Sequence, residues 1–231
     1  MGLLESGRPQ GPAPDDVEVP DTSLLLQQAK LAIPSSRPGT VPRAGLLVRL
    51  QASSGASVVA VAAPAGYGKS ALLSQWARAS PRRAAWLSLE REDNDPVVLL
   101  AYIAAALGRL GPVDTDAFRT RVPPGASVAS VVARRVTSAL ASMAEPVALV
   151  LDHTEALDNH QCRDALGEVA VHLPPGAQLV VASRGPPPVP LATLRGRGAV
   201  LEIGADDLAM DASEARALLQ GVGIEVDDAE L

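Results

Sequence analysis

Two short groups of residues have the types and spacing to handle phosphate. The first, Gly66-Tyr67-Gly68-Lys69-Ser70, matches the second half of the P-loop pattern, a glycine-rich turn that opens a helix. Glycines let the backbone turn tightly and bring successive N–H groups to phosphate oxygens, and the helix N-terminus adds unpaired donors and a favourable dipole. Lys69 would reach the β- and γ-phosphates, and the Ser70 hydroxyl would hold Mg²⁺. The pattern's first glycine is replaced by Ala63, followed by Pro64, so a strand-to-helix turn that merely needs glycines is the competing account. The second group begins where the apolar run at 147–151 ends in Asp152, an acid suited to holding Mg²⁺ directly or through water. His153, Glu155 and Asp158 follow at once. Glu155 is the best of them for accepting a proton from water, or else it is a solvated loop residue. Ser183-Arg184 closes another apolar run, where Arg184 would either contact a terminal phosphate or be a loop arginine without a ligand.

Such residues work only if the chain delivers them to one edge. The stretch 58–63 is a short apolar run rich in β-branched residues, then a Pro/Gly turn, then a segment without breakers, which predicts buried strand, loop and helix. Further strands are predicted at 84–89, 147–152, 178–182 and 199–203. Helices are predicted at 96–110, capped by Asp95 with Pro96 at its first position and ended by Gly111, and at 126–143, 161–173 and 214–219. Asp211-Ala212-Ser213-Glu214 reads as a capping-box variant. Strands alternating with helices predict an α/β fold with a parallel sheet, whose ligands bind at the strands' carboxyl ends.

Composition agrees and sets limits. Of 231 residues 47% are hydrophobic but only 2% aromatic, so the core must be packed with Val, Leu and Ala, as helix-covered parallel sheets commonly are. A net charge of −6 provides no field to attract nucleic acid or anionic lipid. The single Cys162 rules out an internal disulfide and points to a reducing compartment; it reads as a small residue inside a helix. His153, His160 and His172 lack metal-ligand spacing and read as structural or surface residues. No apolar run reaches membrane-spanning length, so the expected location is cytoplasmic. The chain divides into a disordered leader at 1–22, an N-terminal arm and short helix at 23–50, a P-loop domain at 51–220, and the start of a following segment at 221–231, an ending that favours a fragment. The arm could cover a bound base or simply pack on the domain surface.

An ordered series of motifs spans about 30–219: Lys30-Leu31 with Pro34, Val41-Pro42-Arg43, Ala63-Pro64-Ala65-Gly66-Tyr67-Gly68-Lys69-Ser70, Trp86-Leu87-Ser88-Leu89, Asp93-Asn94-Asp95-Pro96, Leu149-Val150-Leu151-Asp152, Ser183-Arg184, Pro190-Leu191 with Leu194-Arg195, and Asp207-Leu208. It resembles the nucleotide-binding domain of the large ATP-binding LuxR-type (MalT-like) transcription regulators, in the STAND branch of P-loop ATPases. In that family Ala-Pro commonly stands for the first glycine. The resemblance implies a P-loop NTPase three-layer α/β/α sandwich with a parallel sheet of about five strands in the order 5-1-4-3-2. It implies ATP or ADP with Mg²⁺ over the first strand, Val41 and Arg43 near adenine and ribose, and Arg184 as γ-phosphate sensor. The expected nucleotide contacts are then Val41, Arg43, Pro64, Ala65, Gly66, Tyr67, Gly68, Lys69, Ser70 and Ala71. The catalytic set is Lys69, Asp152, Glu155 and Arg184, and the metal ligands are Ser70 and Asp152. The family commonly carries a second acid after the Walker B aspartate, where this chain has His153, which puts hydrolysis in question. The resemblance also implies self-association in the ATP-bound state, and DNA binding by a C-terminal helix-turn-helix outside this segment. The expected function is therefore an ATP-binding regulatory switch with slow or absent hydrolysis. The rivals are a P-loop hydrolase or kinase using Glu155 as base, and an interaction scaffold with a vestigial site.

Overall fold

A computed structural model describes residues 27–36, 39–113, 118, 123, 125–221 and 223–224. The expected leader and nearly all of the expected following segment lie outside these residues.

Five strands form one parallel sheet: β1 (Val58–Ala62), β2 (Arg83–Ser88), β3 (Val147–Asp152), β4 (Ala177–Ser183) and β5 (Val200–Ile203). Their order is β2-β3-β4-β1-β5, the expected 5-1-4-3-2 viewed from the opposite edge. Side chains alternate between faces along a strand, and β1 shows the consequence. Val58 and Ala60 join one apolar cluster, and Val59 and Val61 join the other. One face is covered by α3 (Pro96–Gly108), α4 (Val128–Ala141), α5 (His160–Val171) and the short α6 (Leu191–Gly196). The opposite face takes α1 (Ala44–Ala52), α2 (Lys69–Ala79) and Leu208 of α7 (Ala205–Leu208). These are the three layers expected of a P-loop NTPase.

Local chemistry sets the element ends. Asp95 caps α3 by accepting from the Val97 and Val98 N–H groups, with Pro96 at the first position. That helix ends at Gly108, not near Gly111, because Arg109 N–H turns back to the Ala106 carbonyl at 3.3 Å. Ser127 caps α4, so it begins two residues later than expected, and Asn159 caps α5, which starts one residue earlier and stops at Val171. The reciprocal box at Asp211 and Glu214 is present and opens α8 (Ala212–Gly221), longer than the expected 214–219. Helices α6 and α7 fall where no element was expected. Both are too short for periodicity to reveal.

Register brings the polar strand ends together. Ser88 lies opposite Asp152, and Ala62 lies opposite Ser183. The sheet's carboxyl edge therefore gathers the loop after β1, Asp152 and Ser183-Arg184, as the ordering of the sequence required.

Candidate functional site

The loop after β1 takes its shape from two glycines. Gly66 and Gly68 have φ of 87° and 76°, a region that side-chain-bearing residues enter at a cost, and Gly68 also caps α2. An added Cβ would meet no atom within 4 Å at either position, so the loop backbone faces open space and not a packed wall. That space is a cavity of about 330 Å³ whose lining includes Ala65, Gly66, Gly68, Lys69, Ser70 and Ala71, together with His153 and Arg184.

Lys69 is the loop's charged residue, and it is 7% exposed. Its Nζ donates to the carbonyls of Ala63 at 2.6 Å and Pro64 at 2.8 Å. Burial pushes its pKa below the ordinary lysine value, against the opposing pull of the Glu155 and Asp152 carboxylates. A buried ammonium resting on two neutral carbonyls gains when an anion arrives, because charge-assisted hydrogen bonds are roughly twice as strong as neutral ones. With the N-terminus of the eleven-residue α2 behind it, the cradle fits a polyphosphate.

Asp152 is 1% exposed at the end of β3. The His153 N–H donates to its Oδ1 at 2.9 Å, and Ser70 and His153 line the cavity whereas Asp152 does not. A hydroxyl and a carboxylate are the hard oxygen ligands that Mg²⁺ takes. Among the described residues no cluster of three His, Cys, Asp or Glu offers a metal site built from protein alone, so any cation here would share its shell with phosphate and water.

Two of the expected water-activating residues have side-chain partners. Glu155 is bound to Arg184 twice: Oε1 takes the Arg184 Nε at 2.9 Å and Oε2 takes its backbone N–H at 3.1 Å. Its carboxylate therefore orients Arg184, whose side chain lines the cavity, whereas Glu155 does not. Asp158 is hydrogen-bonded to the Asn94 side chain. Of the three polar residues after Asp152, only His153 borders the cavity.

The arm residues expected near adenine and ribose have partners of their own. Val41 is buried, and its carbonyl accepts from Gln75 Nε2 of α2 at 3.1 Å. Arg43 is buried as well, and its guanidinium turns away from the phosphate cavity. Nε meets Glu214 Oε1 of α8 at 2.9 Å, and Nη1 and Nη2 donate to the carbonyls of Leu208 and Ala209 at 3.0 and 3.1 Å. Neither residue lines the phosphate cavity, nor do Pro64, whose carbonyl serves Lys69, and Tyr67, which is exposed. The arm contributes Pro34, Ser35, Ser36 and Thr40 instead. Ser36 and Thr40 also line an adjoining cavity of about 430 Å³ with Pro42, Leu47 and Gln75, so the arm roofs both spaces. Arg78 of α2 holds its beginning, donating to the carbonyls of Ile33 and Pro34 at 3.1 and 3.0 Å.

One further anchor went unnoticed in the sequence. Lys30 Nζ lies 3.0 Å from both Asp93 oxygens, 2.9 Å from Glu90 Oε2 and 5.0 Å from the centre of the Tyr102 ring. It ties the arm's first turn, Gln28–Leu31, to the end of β2 and to α3. Cys162 is buried with its thiol pushed up to about 11, first by burial and then by Asp95, which disfavours the thiolate.

No protein-family profile matches the chain. Over 194 residues, 83% of the chain, it is 34% identical to the HTH-type transcriptional regulators MalT of Cronobacter sakazakii and of Klebsiella pneumoniae. It spans only 21% of the length of each. A solved structure, the Walker-type ATPase of Pyrococcus abyssi, superposes with a TM-score of 0.50 at 11% identity, covering 86% of this chain and 65% of that one. That likeness concerns the fold alone. Among the described residues no helix is long and apolar enough to cross a membrane.

Proposed function

We propose, from the premise that this chain carries a MalT-like P-loop ATPase domain, that it is a regulatory module which binds ATP or ADP with Mg²⁺ and turns over slowly if at all. The observation that carries this reading is Lys69, buried at the mouth of α2 with its ammonium parked on the Ala63 and Pro64 carbonyls beside an open cradle. On binding, Lys69 exchanges those carbonyls for phosphate oxygens, and the loop N–H groups and α2 face the same anion. Ser70 and Asp152 would hold Mg²⁺, which neutralises phosphate charge when bound. Glu155 holds Arg184 at the cavity, a positioning role in place of the expected base. Turnover is slow on this reading because the Glu155 and Asp158 carboxylates are already engaged by Arg184 and Asn94. The space under the arm between Thr40, Pro42 and Gln75 suits the nucleoside.

The relatives are named as transcriptional regulators of the HTH type, and most of their length lies beyond the matched region. We assign DNA contact to that remainder, because this chain's net charge of −6 opposes it. Self-association in the ATP-bound state and a cytoplasmic location complete the proposal.

The test is thermal unfolding with Mg²⁺ plus ADP, ATP or GTP, beside Lys69→Ala. A ligand at 100 times its Kd stabilises by about 2.7 kcal/mol, and each kcal/mol moves the Tm of a domain this size by roughly 2–4 °C. A rise of several degrees with adenine nucleotides, lost in Lys69→Ala, supports the reading. A Tm indifferent to every nucleotide would leave a scaffold with a vestigial site.

A further inference from the structure

His153 is the only residue other than glycine with positive φ among the described residues, at φ 60° and ψ 40°. The left-handed region costs an ordinary side chain of order 1 kcal/mol, and such residues persist where the surroundings impose them. Three contacts impose it here. The His153 N–H is bound to Asp152 Oδ1, its carbonyl accepts from Ala156 N–H at 2.9 Å, and the next residue, Thr154, is buried with its hydroxyl on the Ala182 carbonyl at 3.0 Å. The turn leaves His153 at the cavity, which Arg184 also lines, with Nε2 4.0 Å from Asp152 Oδ2. A glycine or asparagine would adopt this backbone with less strain, so the backbone does not call for a histidine.

Charge decides what an imidazole does there. A carboxylate at this position would repel phosphate oxygens and could take a proton from water. An imidazole N–H donates to a phosphate oxygen instead. Arg184 also lines the cavity, with its Nε satisfied by Glu155. We propose that His153 is the specificity-determining residue of this site, donating to the terminal phosphate of a nucleoside triphosphate, so that the triphosphate is held in preference to the diphosphate. The inference rests on the nucleotide-binding reading above and extends it to the discrimination between two states of one ligand.

Calorimetric titration with Mg²⁺ and either ADP or a non-hydrolysable ATP analogue tests it, using wild type, His153→Gly and His153→Asn. The glycine variant removes the imidazole from a backbone that glycine tolerates. Loss of one charge-assisted hydrogen bond predicts that the Kd for the triphosphate analogue rises about tenfold or more, while that for ADP stays within about twofold. The Tm without nucleotide should stay within about 2 °C of wild type, and His153→Asn should fall between the two. If both Kd values rise together with a lowered Tm, His153 is structural and the inference is overturned. If neither Kd moves, the imidazole touches no ligand and the inference is overturned as well. A wild-type chain that binds neither nucleotide removes the nucleotide-binding reading and this inference with it.

Discussion

Removing the Lys30 ammonium should be among the most costly single changes away from the phosphate loop. Lys30 is 5% exposed and Asp93 is 1% exposed, and the ammonium spans both oxygens of that carboxylate. Lys30→Met leaves Asp93 with one remaining neutral donor, the Glu90 N–H at 2.8 Å. Breaking a buried pair from one side costs about 3–5 kcal/mol, because a desolvated charge is left without its partner. For a domain of this size that lowers Tm by roughly 6–20 °C. Glu90 belongs to the same cluster, yet its side chain is 53% exposed, so Glu90→Ala should cost at most about 1 kcal/mol. Adding Asp93→Asn to Lys30→Met should recover stability, because the stranded charge disappears while an oxygen remains for the Glu90 N–H.

The assay is urea unfolding of the four proteins, repeated across pH. Burial by itself would lower the Lys30 pKa, but the hydrogen bonds to Glu90 and Asp93 and the charge of Asp93 outweigh it and raise the net value. A raised folded pKa means that the contribution is complete below the unfolded lysine value of about 10.4 and is lost as pH climbs through the folded one. The gap between wild type and Lys30→Met should therefore hold from neutral pH to about pH 10 and narrow above it. Costs for Lys30→Met below about 1 kcal/mol, or equal to those for Glu90→Ala, would refute the reasoning.

Two other outcomes follow from the C-terminal part of the domain. Arg43→Ala strands the carbonyls of Leu208 and Ala209 and frees Glu214, so it should destabilise by about 2–4 kcal/mol and raise amide exchange across α8, more than Glu214→Ala does. Three carboxylates there have depressed pKa values: Glu202 through its hydrogen bond from Arg195, Asp207 through the Gly204 N–H and then Arg49, and Asp211 through the Glu214 N–H and then Ser213. Depressed carboxylates stabilise above their unfolded values, near pH 4, and that stability is lost as pH falls through the folded ones. Hydrogen exchange at pH 3 should accordingly show residues 200–221 opening ahead of β3 and β4.

What could be read from the sequence was local. Apolar runs bounded by glycine and proline located all five strands, because a buried parallel strand must be apolar on both faces. Gly66 and Gly68 announced the turn that their φ angles show, and Asp95-Pro96 announced the start of α3. The strand order came from the family resemblance, and nothing local encodes it. What stayed hidden was pairing over distance. Lys30 meets Asp93 across 63 positions and Arg43 meets Glu214 across 171, and in the sequence each is one charged residue among many. Glu155 has a partner that was hidden for the same reason. Its chemistry suits a base, and only the fold reveals that Arg184 already occupies it.

These distant pairs share one consequence for the site. The phosphate cradle is built from consecutive residues on a strand and a helix at the centre of the domain, so its stability is that of the core. The arm above it is not. It is held from behind by Lys30, from below by Gln75 and Arg78 of α2, and from the far side by Arg43 on α8. Helix α8 buries none of its own residues, and an alanine in place of Gly221 would bring its Cβ to 3.1 Å from Gly39 Cα in the arm. Elements with few buried apolar groups open at lower free energy than the core. When α8 opens, Arg43 loses its acidic partner and the arm over both cavities loosens, while Lys69, Ser70 and Asp152 remain in place. Amide protection of the arm should therefore depend on the C-terminal helix, and that of β1 and α2 should not, which hydrogen exchange on Glu214→Ala would check.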